Sequence, residues 1–391
     1  MAPAAAPSKT KTTTTTTTTT SRTTAVAKAD AHRQPHSTLL PPKPLKQKMA
    51  SSFRSLMTSL VGGAKPTTAP IDELFSKTDP SVDGDECLHD CDSCSVKYPR
   101  GFKIDEEDVL YGQVKGWATH LIVGTGKTDW VRDVTDEGGS VMEAVGKANS
   151  PENGKLMLSA SNMPTPHDTD DYSEPTTALL LPSFITISNV RPSNVPQLIS
   201  EIVSKAPTTS SALTAPSLPP QVGEMTLSRC PHEAIILMCS HRTRDARCGQ
   251  SAPLLRKEFE RHLRPLGLYR DLHDQRPGGV GIYFINHVGG HKYSANVMIY
   301  RRPNAFGQDE PEVTAASNGE TTPANEKDEA ENGDEDESKA EAGAAQGIWL
   351  ARVKPEDCEN LIRYTILKGK LVKPESQLRG GFDRSKGLMS W

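Results

Sequence analysis

The chain has 391 residues, of which 35% are hydrophobic and 5% aromatic. This apolar content is too low for a chain that packs throughout, so we expect sizeable unfolded segments. The formal net charge of −4 combines a basic N-terminal end with an acidic internal stretch, and it predicts no general affinity for nucleic acid or membranes. No apolar run approaches the roughly 20 residues of a membrane span, and no secretory signal is visible.

Residues 1–70 are of low complexity, with an unbroken threonine run from Thr12 to Thr20 and ten Lys/Arg against one acid. They cannot bury enough apolar surface to fold, which predicts a disordered basic tail rich in Thr and Pro. Within it, residues 49–63 place apolar side chains at helical spacing before a Gly-Gly stop. This segment is either a mitochondrial targeting helix or a short amphipathic piece without that role.

A first α/β unit is predicted over residues 71–205, beginning with a Cys-rich patch, and a linker over residues 206–224 follows it. Apolar runs and a Pro-initiated helical pattern define its elements. They are strands at 121–123, 178–181 and 184–187 and a helix at 195–203.

A second unit is predicted over residues 225–303 and 347–391, interrupted by a disordered acidic insert at 304–346 that carries thirteen Asp/Glu and two Lys. Its predicted elements are strands at 233–239, 279–286, 293–300 and 347–353 and helices at 252–263 and 355–367. The short Gly-containing link before residue 293 predicts a hairpin. The order β-α-β-β-α is typical of a thioredoxin-like domain.

Four ligand-type residues close the predicted strands of this unit: Cys239, Cys248, His287 and His291. Two thiolates and two imidazoles suit either zinc or an iron–sulfur centre. Two thiols with eight residues between them, and a histidine pair separated by Val-Gly-Gly, do not follow the usual Cys₂His₂ zinc-finger spacing. The residues therefore predict a metal centre and leave its metal open between zinc and iron.

A second group of ligand-type residues lies near the start of the first unit. Cys87, Cys91 and Cys94 are accompanied by His89 and Asp90. This patch suits a zinc ion, a second cluster or a redox dithiol, and the alternative is an unpaired group of thiols. The total of seven cysteines is odd, which favours metal-binding thiols in a reducing compartment over a disulfide framework.

The stretch Gly124-Thr-Gly-Lys-Thr128 is partly similar to a phosphate-binding loop. The Walker A pattern requires a glycine at position 121, where this chain has Leu121. We therefore predict no nucleotide binding here, and interpret the stretch as a loop that follows a strand.

Three motifs together resemble the sucrase/ferredoxin-like family, in particular its fungal actin-patches-distal branch. They are Cys239-Ser-His-x-x-Arg-Asp-x-Arg-Cys-Gly249, Asn286-His-Val-Gly-Gly-His-Lys292 and Gly124–Thr128. The resemblance covers about residues 85–391 apart from the acidic insert. It implies a thioredoxin-like ferredoxin domain with a [2Fe–2S] cluster on Cys239, Cys248, His287 and His291. No paired-carboxylate signal supports a sucrase activity, so we expect an electron carrier or redox sensor rather than a hydrolase.

With the two Cys and two His ligands that the resemblance implies, an oxidised cluster is formally neutral. Its reduction potential is therefore higher than that of a cluster with four Cys ligands. Imidazole ligands keep an ionisable N–H, so electron uptake can be coupled to proton uptake. In the same loop, His241 is expected to donate a hydrogen bond to the centre. Arg242, Arg244 and Arg247 are expected to favour the reduced form or attract an acidic partner, unless they form only a solvated basic loop.

The sequence ends in Met389-Ser-Trp391. Trp391 resembles the C-terminal residue by which clients bind the cytosolic iron–sulfur assembly targeting machinery, and we expect it to be an exposed anchor. This favours a cytoplasmic protein, with mitochondria as the alternative. The alternative function from another class is a zinc-stabilised or thiol-redox thioredoxin-like module without a cluster. The sequence does not identify the redox partner.

Overall fold

The computed structural model describes residues 68–309 and 342–391. The candidate targeting helix at 49–63 and all but the last three residues of the predicted basic tail lie outside the described residues. Most of the predicted acidic insert, residues 310–341, lies outside them as well. These interpretations therefore stay predictions.

One mixed sheet of thirteen strands runs through the described residues. The strands are β1 (Thr119–Gly124), β2 (Leu156–Ser161), β3 (Thr176–Leu181), β4 (Ile185–Val190), β5 (Gln221–Val222), β6 (Met225–Arg229), β7 (Ala234–Cys239), β8 (Tyr269–Arg270), β9 (Val280–Ile285), β10 (Val297–Arg301), β11 (Gln346–Leu350), β12 (Leu378–Asp383) and β13 (Leu388–Met389). Their order is β13-β12-β11-β10-β7-β9-β2-β1-β3-β4-β6-β5, and β8 pairs with β9. The mixed α/β class is confirmed, and strands from both predicted units share one sheet.

Helices connect many of these strands, and all but α5 are short. They are α1 (Ile71–Leu74), α2 (Pro80–Asp83), α3 (Val141–Lys147), α4 (Val195–Gln197), α5 (Ala246–Leu263), α6 (Cys358–Asn360) and α7 (Pro374–Gln377). Two of them continue as π-helices, α4 over Leu198–Ile202 and α6 over Leu361–Ile366. Among the helices of the described residues, none is both long and apolar enough to cross a membrane.

Helix α5 begins six residues earlier than predicted. The Asp245 carboxylate caps its first turn by accepting a hydrogen bond from the backbone N–H of Arg247. The prediction started at residue 252 because the preceding residues are mostly polar and show no apolar period. As a result, Cys248 lies in the first turn of a helix and not in an open loop.

The sheet contains the same strand pattern twice. In the first half β1 pairs in parallel with β2 and antiparallel with β3, which pairs with β4. In the second half β7 pairs in parallel with β9 and antiparallel with β10, which pairs with β11. Helices α3 and α5 follow the first strand of each half, and α4 and α6 follow the fourth.

The predicted hairpin between β9 and β10 is wrong, because β7 lies between these two strands. The intervening chain crosses the end of β7, where Cys239 is the last residue. Strand β10 also begins at Val297, four residues later than predicted, because residues 291–293 form a 3₁₀ turn. This crossing brings His287 and His291 past the end of the strand that carries Cys239.

The two halves meet where β2 and β9 run antiparallel and overlap only at their C-terminal ends, with Ser161 opposite Ile285. An asparagine after each strand bonds to the other half. The Asn162 side chain accepts from the Phe284 N–H at 2.7 Å, and the Asn286 side chain accepts from the Ala160 N–H at 2.9 Å. This reciprocal pair fixes the seam directly beside His287.

Alternate strand residues pack into different cores. Ile236 and Met238 of β7 belong to a cluster with α5 and the helix at 358–366, whereas Ile235 and Leu237 belong to a cluster on the other face. That second cluster also contains Ile122 of β1, so it spans both halves. Burial of each such side chain contributes about 1.5–3 kcal/mol to stability, and it holds the strand ends in place.

Candidate metal centre

The two predicted thiol ligands lie together at the end of β7. Cys239 is the last residue of the strand, Cys248 lies in the first turn of α5, and both are buried. Interaction between the two thiols lowers the pKa of Cys239 well below its usual range, and the same interaction and burial raise the pKa of Cys248. A buried thiol with a lowered pKa beside a second thiol is an environment that favours metal binding.

Of the predicted imidazole ligands, His287 lies closer to the thiols. Its Nδ1 atom is 3.8 Å from the Cys239 sulfur, and the donor atoms of Cys239, Cys248 and His287 lie within 4.8 Å of one another. His291 is exposed, and its ring centroid is 5.3 Å from that of His287, although it is not part of the three-residue group. Partial desolvation and the neighbouring His287 lower the pKa of His291, which favours the neutral ring that binds metals.

The turn that carries the histidines depends on glycine. Gly289 and Gly290 have φ angles of +94° and +71°, a region that side-chain-bearing residues rarely adopt. The Arg379 guanidinium donates to the Gly289 carbonyl at 3.0 Å and lies 2.6 Å from where a Cβ on Gly290 would stand. Arg379 comes from β12 and stacks on Trp349, so a distant strand holds this turn.

His241 is buried and connects the centre to the first half of the sheet. Its Nε2–H donates to the Trp130 carbonyl at 2.9 Å, since a carbonyl can only accept. Its Nδ1 atom accepts from the backbone N–H of His287 at 3.2 Å. In the structure His241 thus accepts a bond from the backbone of a candidate ligand and donates to Trp130, so it is not the hydrogen-bond donor to the centre that the sequence predicts.

The loop after β1, residues 125–130, braces the loop between the two thiols. Asp129 accepts from both the backbone N–H and the hydroxyl of Thr243, each at 2.9 Å. The Ser240 hydroxyl donates to the Thr128 carbonyl at 2.7 Å. These contacts give the Gly124–Thr128 motif a structural role, because the motif begins the loop that holds the Cys239–Cys248 segment.

The segment between Cys239 and Cys248, here called the thiol loop, contains three arginines with different surroundings. Arg247 pairs with Asp245 at 2.8 Å and is half-buried. Arg242 is exposed and reaches Asp129 at 3.6 Å, and Arg244 is half-buried. Arg247 therefore fixes the start of α5, while Arg242 contributes positive charge at the surface beside the centre.

A protein-family model described as sucrase/ferredoxin-like matches residues 110–380. The chain belongs to the sucrase/ferredoxin-like family. The match includes all four candidate ligands of the centre and the bracing loop, and it begins after the patch at residues 87–94.

Several curated proteins are similar to this family member. Actin patches distal protein 1 of Saccharomyces cerevisiae is 33% identical over 254 residues, which cover 59% of this chain and 77% of that protein. Altered inheritance of mitochondria protein 32 is 30% identical in Clavispora lusitaniae and 27% in Debaryomyces hansenii, each match covering 36% of this chain and 33% of the relative. No solved structure matches the chain.

The three thiols of the N-terminal patch do not form one group within the described residues. Cys87 is buried, and the Cys94 thiol donates to the Val96 carbonyl at 3.0 Å. Cys91 instead lies with His262 and Glu359, and the donor atoms of these three residues lie within 4.8 Å of one another. No local sequence pattern indicates this set, because its members are up to 268 positions apart.

Trp391 is half-buried, and its ring centroid lies 4.4 Å from that of Trp117. The preceding Ser390 is fully buried, and its hydroxyl accepts from the Gly381 N–H at 2.9 Å. The exposed side chain expected at this position is thus not what the structure has. Recognition of Trp391 by a targeting factor stays a prediction that requires the residue to leave this contact.

Proposed function

We propose that this chain is an electron-transfer or redox-sensing protein whose [2Fe–2S] cluster is held by Cys239, Cys248, His287 and His291. The observation that carries the proposal is the grouping of two buried thiols, one at the end of β7 and one in the first turn of α5, with the histidine that follows β9. Family membership supports it.

The strand pattern of the second half also supports the proposal. Strands β9, β7, β10 and β11 follow one another across the sheet, the first two parallel and the others antiparallel, with helices α5 and α6 packed in the same core cluster. This is the arrangement that a β-α-β-β-α thioredoxin-like unit requires. We therefore propose that residues 225–303 and 347–391 form a thioredoxin-like ferredoxin domain.

The donor set fits a cluster chemically. Sulfur and imidazole donors suit iron–sulfur centres, and the turn at Gly289–Gly290 lets His291 approach from the solvent side. A bound [2Fe–2S] group would supply one-electron chemistry. Buried Cys239 and Cys248 exclude water from one side, and exposed His291 offers a ring nitrogen that can exchange a proton with solvent.

A zinc-stabilised module is the second candidate. Donor atoms on a tetrahedral zinc ion lie about 3.3–3.8 Å apart, given bonds of about 2.0–2.3 Å. The 3.8 Å separation between the Cys239 sulfur and His287 Nδ1 is at the upper end of that range. In this alternative the same residues hold the ion in a structural role.

Anaerobic purification distinguishes the two candidates. We expect a red-brown protein with iron and acid-labile sulfide, and an EPR signal after reduction that is typical of mixed His and Cys ligation. Cys239→Ser should lose the iron, whereas Cys230→Ser, which alters another buried free thiol, should keep it. A colourless protein with stoichiometric zinc would refute the cluster proposal.

We further propose a cytoplasmic location, with mitochondria as the alternative. The former depends on recognition of Trp391 by the cytosolic iron–sulfur targeting machinery, the latter on the segment 49–63. Fractionation of cells that express the full chain tests the location. The cluster content of a Trp391→Ala variant tests the targeting role, and an unchanged content would argue against that role.

A further inference from the structure

The N-terminal patch and helix α5 form a second group of metal-type ligands, separate from the centre at the thiol loop. Cys91 comes from the segment before the family match, His262 from the last turn of α5, and Glu359 from α6. All three are partly buried. Thiolate, imidazole and carboxylate are the donor types that zinc and similar divalent ions bind.

The geometry of the group fits a single ion. The Cys91 sulfur lies 3.8 Å from His262 Nε2, close to the spacing of about 3.3–3.8 Å between donors on a tetrahedral zinc. The donor atoms of Cys91, His262 and Glu359 all lie within 4.8 Å of one another. A divalent ion would replace the thiol proton of Cys91 and bridge the same three side chains.

The surrounding residues hold the donors in place. The Cys91 backbone N–H donates to the Glu356 carbonyl at 3.0 Å, and the Asn360 side chain donates to the His89 carbonyl at 2.8 Å. Arg261 donates to both the Cys91 sulfur and His262 Nε2, so its guanidinium occupies the lone pair of that nitrogen, and a bound metal would displace this contact. Its guanidinium also pairs with buried Glu258 at 2.7 Å, so the arginine keeps a partner when a metal displaces the other contacts.

We propose that Cys91, His262 and Glu359 bind a zinc-class divalent cation, with one coordination position open to water. The ligands differ from the sequence-based set of Cys87, Cys91 and Cys94. Such an ion ties the N-terminal segment to the end of α5 opposite Cys248. Fourteen residues separate Cys248 from His262, which is about 21 Å along a helix.

The test uses the full chain with Cys239→Ser and Cys248→Ser, so that the first centre cannot bind the probe. Zn²⁺ is titrated by calorimetry, and Co²⁺ is added separately to detect thiolate-to-metal absorbance. We expect one ion per chain, a Tm that rises with Zn²⁺, and a cobalt–thiolate band. Adding Cys91→Ser, His262→Gln or Glu359→Gln should abolish the calorimetric site and the Tm response.

Two matched controls locate the ligands. Cys94→Ser changes a thiol three residues from Cys91, and His89→Gln changes an exposed histidine two residues away, so both variants should still bind one ion. Loss of binding in either control, or unchanged binding in Cys91→Ser, would overturn the proposal. Circular dichroism and the metal-free Tm of every variant verify folding, and Glu359→Gln retains the size and hydrogen-bonding ability of the side chain. The outcome is independent of whether the first centre holds iron.

Discussion

Replacement of Asp129 by alanine should loosen the candidate metal centre without touching a ligand. Asp129 makes two charge-assisted hydrogen bonds to Thr243, each at 2.9 Å, and its side chain is 25% exposed. A buried bond of this kind contributes about 1.5–3 kcal/mol, and partial exposure favours the low end, so the loop should lose about 3 kcal/mol. Loss of a contact that orients metal ligands in this way typically lowers metal affinity about 10–100-fold.

The assay combines iron and sulfide content with hydrogen exchange of the thiol loop. Asp133 provides a matched control, because it makes the same pair of bonds to Thr135 at 3.1 and 2.8 Å within its own loop. Asp129→Ala should speed exchange at the Thr243 amide and lower cluster retention, Asp129→Asn should have about half the effect, and Asp133→Ala should have neither. Equal iron content and exchange in Asp129→Ala and Asp133→Ala would refute the bracing role.

Two other predictions concern stability. Burial lowers the pKa of His120 to about 3. Because the unfolded state takes up a proton below about pH 6.5 and the folded state does not, the free energy of unfolding should fall by about 2 kcal/mol from pH 7 to pH 5. Urea unfolding of His120→Gln should show a smaller loss over that range, and identical pH slopes would contradict the assignment. Gly116→Ala would place a Cβ 1.9 Å from the Trp391 ring, so Trp391 should lose its contact with Trp117. We expect a red shift of the tryptophan fluorescence and a free energy of unfolding that is about 1–3 kcal/mol lower. Unchanged emission would show that Trp391 is not docked there.

The sequence located the strands better than it located their neighbours. The apolar run at residues 233–239 predicts β7 correctly, because a strand buried on both faces is a local pattern. The partner of β9 is not a local property: the Gly-containing link favoured a hairpin with β10, but parallel pairing with β7 prevails. Short strands such as β8 carry too few residues to show a period.

In the candidate site, too, local patterns are predictable from the sequence and long-range contacts are not. Cys239 and His287 were predicted as ligands from their positions at strand ends, and the structure brings them together. Asp129 was missed because its partner Thr243 is 114 residues away. Cys91 was assigned to its sequence neighbours, whereas folding places it beside His262, on a helix far along the chain.

The seam at Asn162 and Asn286 relates the two halves as a two-fold axis relates the subunits of an isologous dimer. Gly124 ends β1 as Cys239 ends β7, so the first half lacks a thiol at the matching position. The second half therefore carries the candidate ligands, and the loop after β1 in the first half braces the segment between Cys239 and Cys248.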